Sequence, residues 1–163
     1  YADGFKIELA APTGAYSQFE QVCEAVQGYL SEVGIEVKLT LMESGKYWNL
    51  EGKKELPPMF GDSWSCREGE PLERLEGTLG GMKQSYSSWT DPKIDAILAK
   101  VAVMADENER AKLYVELQNY MHENPPFIYL YQPMTFEAVS TKVKNYNPRA
   151  AEDYYLKAVS KEK

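Results

Sequence analysis

Apolar and polar positions alternate from the start of the chain. Phe5, Ile7 and Leu9 are separated by Lys6 and Glu8, the period of two that a half-buried strand presents, and Pro12 with Gly14 predicts its end. From Ser17 the period lengthens. Phe19, Val22, Cys23, Val26, Tyr29, Leu30 and Val33 recur at three and four, one stripe of a helix with Gly34 as its stop. Ser17 reads as the N-cap and Glu20 as the reciprocal member of a capping box. Ile35, Val37, Leu39 and Leu41 then return to period two. Strand, helix, strand at this spacing predicts a βαβ unit with parallel strands, which brings the loops over 12–16 and 43–48 to one edge of a sheet, where α/β proteins bind ligands.

Leu56-Pro57-Pro58 punctuates the chain before Met59 and Phe60, which predict a short third strand delivering 63–67 to the same edge. Gly69 to Ser88 is weakly periodic, with one helical turn over 71–75. Asp91 or Thr90 caps the next helix, with Pro92 in its first turn and Ile94, Ile97, Leu98 and Val101 as its stripe. Asp106 with Glu109 opens another, with Leu113, Leu117, Tyr120 and Met121 inward and Asn124-Pro125-Pro126 as its end; the two helices are expected to form a hairpin. Phe127 to Tyr131 is apolar on both faces, as a central strand would be, and Phe136, Ala138 and Val139 suggest one more. Beyond Asn145 there is little pattern.

This order predicts an α/β fold, a mixed, mostly parallel sheet flanked by helices, as one domain over 1–163. The net charge of −7 and pI near 4.9 argue against nucleic acid or an anionic bilayer as partner, since phosphate-binding faces need clustered Lys and Arg. No apolar run approaches membrane-spanning length. The chain begins almost directly at a strand, so an export signal is expected to lie outside it. Cys23 and Cys66 are compatible with a disulfide or with two thiols.

The densest chemistry lies in 59–71, M-F-G-D-S-W-S-C-R-E-G-E-P, which supports two readings. In one, Phe60-Gly61-Asp62-Ser63 after a strand resembles the signature of GDSL-type serine esterases, with Ser63 as nucleophile. That chemistry needs an imidazole to take the serine proton and a third group to orient it. The only histidine is His122, and Asn119 stands where that family has its Asp. In the other reading Trp64 and Arg67 form the floor of a binding cleft. One histidine and two separated cysteines lack metal-ligand spacing, and Asp62, Glu68 and Glu70 reach at most a weak calcium site; no metal or cofactor is expected.

Taken in order, the pieces resemble the C-terminal lobe of the family 5 solute-binding proteins of ABC importers, the dipeptide, oligopeptide and nickel group. Carrying the resemblance are Gly4 to Leu9, the helix exit Leu30 to Lys38, and Trp64 followed by Glu70-Pro71. Tyr86-Ser87-Ser88 before Asp91 to Leu98, Arg110 to Tyr114, Glu116-Leu117-Gln118 and Pro125 to Tyr131 continue it. The resemblance implies one lobe of a two-lobe, type II-like periplasmic binding protein, its N-terminal lobe lying outside this chain. It further implies export to the periplasm or a membrane-anchored lipoprotein, delivery of a peptide or small solute to a permease, and no catalysis.

Carried over residue by residue, the cleft would be lined by Trp64, Ser65, Arg67, Tyr86 and Ser87, with Tyr16 from the first loop. Peptide-binding members commonly carry an Asp three residues beyond the turn's Trp, which pairs the ligand's amine, and here Arg67 stands there. The Arg that some members use near the start of the first helix is replaced by Glu20 and Gln21. A cation at the cleft favours carboxylate, phosphate or polyhydroxyl ligands over a free amine; pairing of Arg67 with Glu68 or Glu70 is the alternative.

Overall fold

The first alternating run forms β1, Phe5–Thr13, and the second forms β2, Ile35–Glu43, paired in parallel from Phe5↔Ile35 to Thr13↔Glu43. The computed structural model describes residues 3–65, 70–80, 86, 88–134, 136–149 and 154–162. β3, Met59–Phe60, lies parallel on the other side of β1, with Leu9↔Met59 and Ala10↔Phe60, so the order is β2-β1-β3.

Pro12 does not end β1 as expected. Backbone groups of alternate residues face alternate neighbours, and the Ala10 carbonyl, which accepts from the Gly61 amide, faces β3. Pro12 shares that parity and lies beyond the end of β3, so its missing N–H removes no ladder bond.

Between the paired strands runs α1, Phe19–Glu32. Its stripe meets the odd-numbered face of β1 and β2 in a core of Leu9, Ala11, Phe19, Cys23 and Val37, flanked by Ile7, Val22, Val26, Leu30, Ile35, Leu39 and Met59. Gly34 ends the helix at φ 84°. The opposite face carries a polar ladder: Lys6 pairs with Glu36 at 2.8 Å, and the Glu8 carboxylate accepts from Thr40 at 2.7 Å and faces Lys38 at 3.4 Å. The capping box at Ser17 does not form. The chain enters α1 through Gln18, which is left-handed (φ 57°) and makes no side-chain cap bond, and Glu20 instead accepts from the Gly14 amide at 2.7 Å.

The second loop is also a correction, because 44–52 is helical: α2, Ser44–Gly52. Its cap is Glu43, whose carboxylate accepts from the Gly45 and Lys46 amides at 2.9 Å each. These bonds satisfy donors that a helix start leaves orphaned and hold the Glu43 carboxyl below its usual range. α3, Leu72–Thr78, and α4, Pro92–Val103, follow. Asp91 caps α4 as expected, accepting from Lys93 N at 2.8 Å and Ile94 N at 3.3 Å.

The chain forms two compact units, Tyr1–Trp64 with Leu75–Asp95 and Ser65–Arg74 with Ala96–Lys163. In the second, α5, Glu107–Glu123, is capped by Asp106, which accepts from Asn108 and Glu109 N at 2.9 Å. Leu117 is its buried residue. Glu109 pairs with Lys112 at 2.6 Å. Arg110 and Tyr114, one turn apart, both reach Glu70: the guanidinium lies 3.6 Å away and the tyrosine hydroxyl donates to Oε1. Glu70 thus ties the Glu70-Pro71 turn to α5.

Phe127 to Tyr131 is not a strand, nor is the stretch around Phe136 to Val139. Ile128, Tyr129, Leu130 and Tyr131 are 69%, 60%, 49% and 54% exposed and Phe136 is 84% exposed, so among the described residues neither run has the cover a central strand requires. The strands here are β4, Val143–Lys144, and β5, Ser160–Lys161, an antiparallel pair. Among the described residues no helix is long and apolar enough to cross a membrane.

Candidate functional site

Parallel pairing of β1 with both neighbours sends three segments off the same, carboxyl-terminal edge of the sheet. They are the turn over 14–18 with Tyr16, the helix α2 with Tyr47 and Glu51, and the segment 61–64 with Asp62 and Trp64. All three meet, as the strand pattern predicts.

Gly61 is the hub of the last segment. Its amide donates to Ala10 O at 2.8 Å and its carbonyl accepts from the Tyr47 hydroxyl at 2.8 Å. A Cβ at this position would lie 2.9 Å from Phe19 Cζ and 3.1 Å from Cε1, so only glycine lets the segment lie this close to the core. Tyr47 is fully buried, and its hydroxyl resists ionisation, first through burial and then through the charges of Asp62 and Glu51.

Asp62 collects hydrogen bonds. Its Oδ1 accepts from the Ser63 amide at 2.7 Å and from the Tyr16 hydroxyl. Burial first, and then the bond to Asp62, raise the Tyr16 pKa. Glu51 lies within hydrogen-bonding reach of Asp62. It is 2% exposed, and its Oε1 has no hydrogen-bond partner. Burial, followed by that interaction and the charge of Asp62, pushes the Glu51 carboxyl up to about 8. A buried carboxyl beside a second carboxyl keeps its own proton to higher pH, because two adjacent charges in a poorly solvated site repel.

On this base stands Trp64, half-buried, its ring centroid 5.6 Å from that of Tyr86 at an interplanar angle of 59°. The structure brings these two expected cleft residues together. Tyr16 comes to the same edge, edge-on to Phe19 with centroids 5.4 Å apart, and its hydroxyl is engaged by Asp62. Ser65 is exposed. Arg67 and Ser87 lie outside the described residues, as do Cys66 and Glu68; Cys23 is a buried free thiol. Among the described residues no cluster of His, Cys, Asp and Glu is placed to hold a metal.

Glu51 and Tyr47 carry no signal in the hydrophobic pattern because 44–52 has weak helical periodicity. Once a helix is granted there, their spacing of four puts them on one face. For the esterase reading the geometry is unhelpful: the carboxylate beside Ser63 is occupied by Tyr16 and by the Ser63 amide, and His122 is an exposed residue in the last turn of α5.

No family model matches the chain. Among curated proteins it is similar to Di/tripeptide-binding protein 2 of Pseudomonas aeruginosa (strain UCBPP-PA14), 29% identical over 140 residues, covering 82% of this chain and 26% of the relative. It is also similar to the glutathione-binding protein GsiB of Pectobacterium atrosepticum, 27% identical over 155 residues, covering 90% and 30%. Of solved structures, the dipeptide binding protein from Pseudoalteromonas sp. SM9913 in complex with Met-Leu superposes with a TM-score of 0.81 at 19% identity, over 99% of this chain and 33% of that one. The periplasmic binding protein DppA from Helicobacter pylori, in complex with the peptide STSA, gives 0.67 at 25% identity, over 77% and 25%. The chain therefore spans between a quarter and a third of the length of these proteins. They bear out the resemblance and the fold class, and they lend the esterase reading no support.

Proposed function

From its kinship with the peptide- and glutathione-binding proteins of ABC importers, we propose that this chain supplies one lobe of an extracytoplasmic solute-binding protein. That protein captures a peptide or another small polar solute between two lobes and hands it to a membrane permease, without catalysis. The observation that carries this is the Trp64–Tyr86 aromatic pair at the carboxyl edge of a parallel sheet, on a base already fixed by internal hydrogen bonds. Aromatic plates contribute apolar contact at little entropic cost, and closure of a second lobe removes water from the polar contacts.

The exposed apolar run Ile128 to Tyr131 supports a lobe taken from a larger protein, because such a run wants cover that the described residues do not supply. Arg67, where an amine-binding acid is common among the proteins the sequence resembles, favours a ligand bearing a carboxylate, phosphate or polyhydroxyl group over a free amine. The compartment implied is the periplasm, or the outer membrane face for a lipid-anchored protein. Nothing in the net charge of −7 invites nucleic acid.

Isothermal titration of the complete protein with a dipeptide, a tripeptide and glutathione tests the reading. Binding is expected for at least one, weakened about tenfold or more by Trp64→Ala, the loss typical of a central aromatic anchor. Absence of binding up to millimolar ligand, together with hydrolysis of a short chromogenic ester that Ser63→Ala abolishes, would transfer the protein to the esterases.

A further inference from the structure

We propose that Glu51, held in its protonated form, is the positioning residue of the Trp64 segment: it donates its proton to Asp62, which in turn anchors the segment through the Ser63 amide and the Tyr16 hydroxyl. The inference rests on the reading of Trp64 as a cleft residue, but its geometry is independent of any ligand.

Three observations carry it. Glu51 projects from α2 into the sheet edge and is 2% exposed, yet no cation is paired with it among the described residues. The neighbour within its reach is a second carboxyl, that of Asp62, and two carboxyls can hydrogen-bond only if one keeps its proton. Its remaining oxygen, Oε1, is buried without a partner, a modest cost for the carbonyl of a neutral acid and a far larger one for a charged carboxylate. Asp62 carries the other side of the arrangement, since its Oδ1 already accepts from Ser63 N and Tyr16.

The proton therefore belongs on Glu51, and Asp62 accepts from donors of β3's exit and the 14–18 turn. Loss of that proton sets two negative charges against each other beneath Trp64. The other titratable groups facing this centre are Tyr16, Tyr47 and Cys23, with Glu20 acting on Cys23; burial raises all three of the neutral acids. They stay protonated while Glu51 ionises, so Glu51 is the group that responds as pH rises past about 8.

The test follows the Trp64 fluorine resonance in the complete protein labelled with 5-fluorotryptophan, assigned by its absence in Trp64→Phe. In the parent the resonance is expected to shift with a midpoint near pH 8. In Glu51→Gln, whose amide still donates to Asp62 but cannot ionise, it is expected to keep its neutral-pH position and lose the titration. Glu51→Leu, which has no donor, is expected to displace it already at pH 6. A titration retained unchanged in Glu51→Gln overturns the proposal, as does a Glu51→Leu resonance at the parental position; should Glu51→Leu not fold, the Gln comparison decides alone. Peptide affinity is measured on the same samples. A titration that Glu51→Gln removes, in a protein that binds no peptide, sustains the positioning role and removes the binding role, whereas a titration that persists in Glu51→Gln, in a protein that does bind peptide, removes the positioning role and leaves the binding role.

Discussion

Replacing Gly61 with alanine isolates one physical effect, because Gly61 is not among the residues with positive φ and the backbone itself accepts a side chain. What resists is the core. The added methyl would meet Phe19 Cζ at 2.9 Å, Cε1 at 3.1 Å and Cys23 Sγ at 3.6 Å, where Phe19 is 5% exposed and wedged between α1 and the sheet. Forcing a methylene-sized group into a packed site costs about 1–3 kcal/mol. Alanine also restricts the unfolded chain, which returns about 0.4–1 kcal/mol.

The clash wins, and Gly61→Ala is expected to destabilise by about 1–2 kcal/mol, read as a lower urea midpoint at unchanged slope. Phe19→Leu should relieve it, so the double variant is expected to lose at least about 0.5 kcal/mol less than the sum of the single losses. A neutral Gly61→Ala, or strict additivity with Phe19→Leu, refutes the idea that this segment is pressed against the α1 core.

Tyr47→Phe removes the donor to the Gly61 carbonyl without opening a cavity and is expected to cost about 1–2 kcal/mol by chemical denaturation. Asp106→Ala strips the cap from α5, where Asn108 and Glu109 N are served, and is expected to cost about 1 kcal/mol; a loss under a quarter of that would contradict the cap's role. Stability should also depend on pH through Glu51: its folded pKa lies above the ordinary 4.5, so its contribution is complete below 4.5 and disappears as pH rises through about 8. Thermal melts from pH 5 to 9 are expected to decline less in Glu51→Gln than in the parent. Glu20 and Glu43 are shifted the other way, downward through backbone hydrogen bonds, so their contributions hold above 4.5 and fade only as acid titrates them.

The parts legible in the sequence are those whose periodicity is answered inside the chain. β1, α1 and β2 announce themselves because Ile7, Leu9 and Val37 are covered by Phe19, Cys23 and Val26, all within 50 residues, and the convergence of three segments at one edge follows from parallel pairing alone. α2 was not legible. Its start is specified by a glutamate that accepts two backbone amides instead of by the usual Ser, Thr, Asp or Asn, and Tyr47 and Glu51 face a polar centre that no apolar stripe reports. Of the residues expected in a cleft, Trp64 and Tyr86 stand beside each other, whereas Tyr16 turns its hydroxyl to Asp62.

The misreading of Phe127 to Tyr131 has the complementary cause. A run apolar on both faces states that each face favours cover, and it is silent about which part of a protein provides it. Strand geometry is sustained by neighbours, since an isolated extended segment satisfies its backbone with water and gains no ladder. Here Ile128 and Tyr131 stand exposed, and the chain spans only 26% of one relative and 30% of another. The alternating pattern from Phe5 is answered by β2, with Ile35 beside it, whereas among the described residues the apolar run over 127–131 has no paired strand. The difference lies in the supply of a partner, so local pattern reports a demand for burial and only the surrounding chain decides whether it is met.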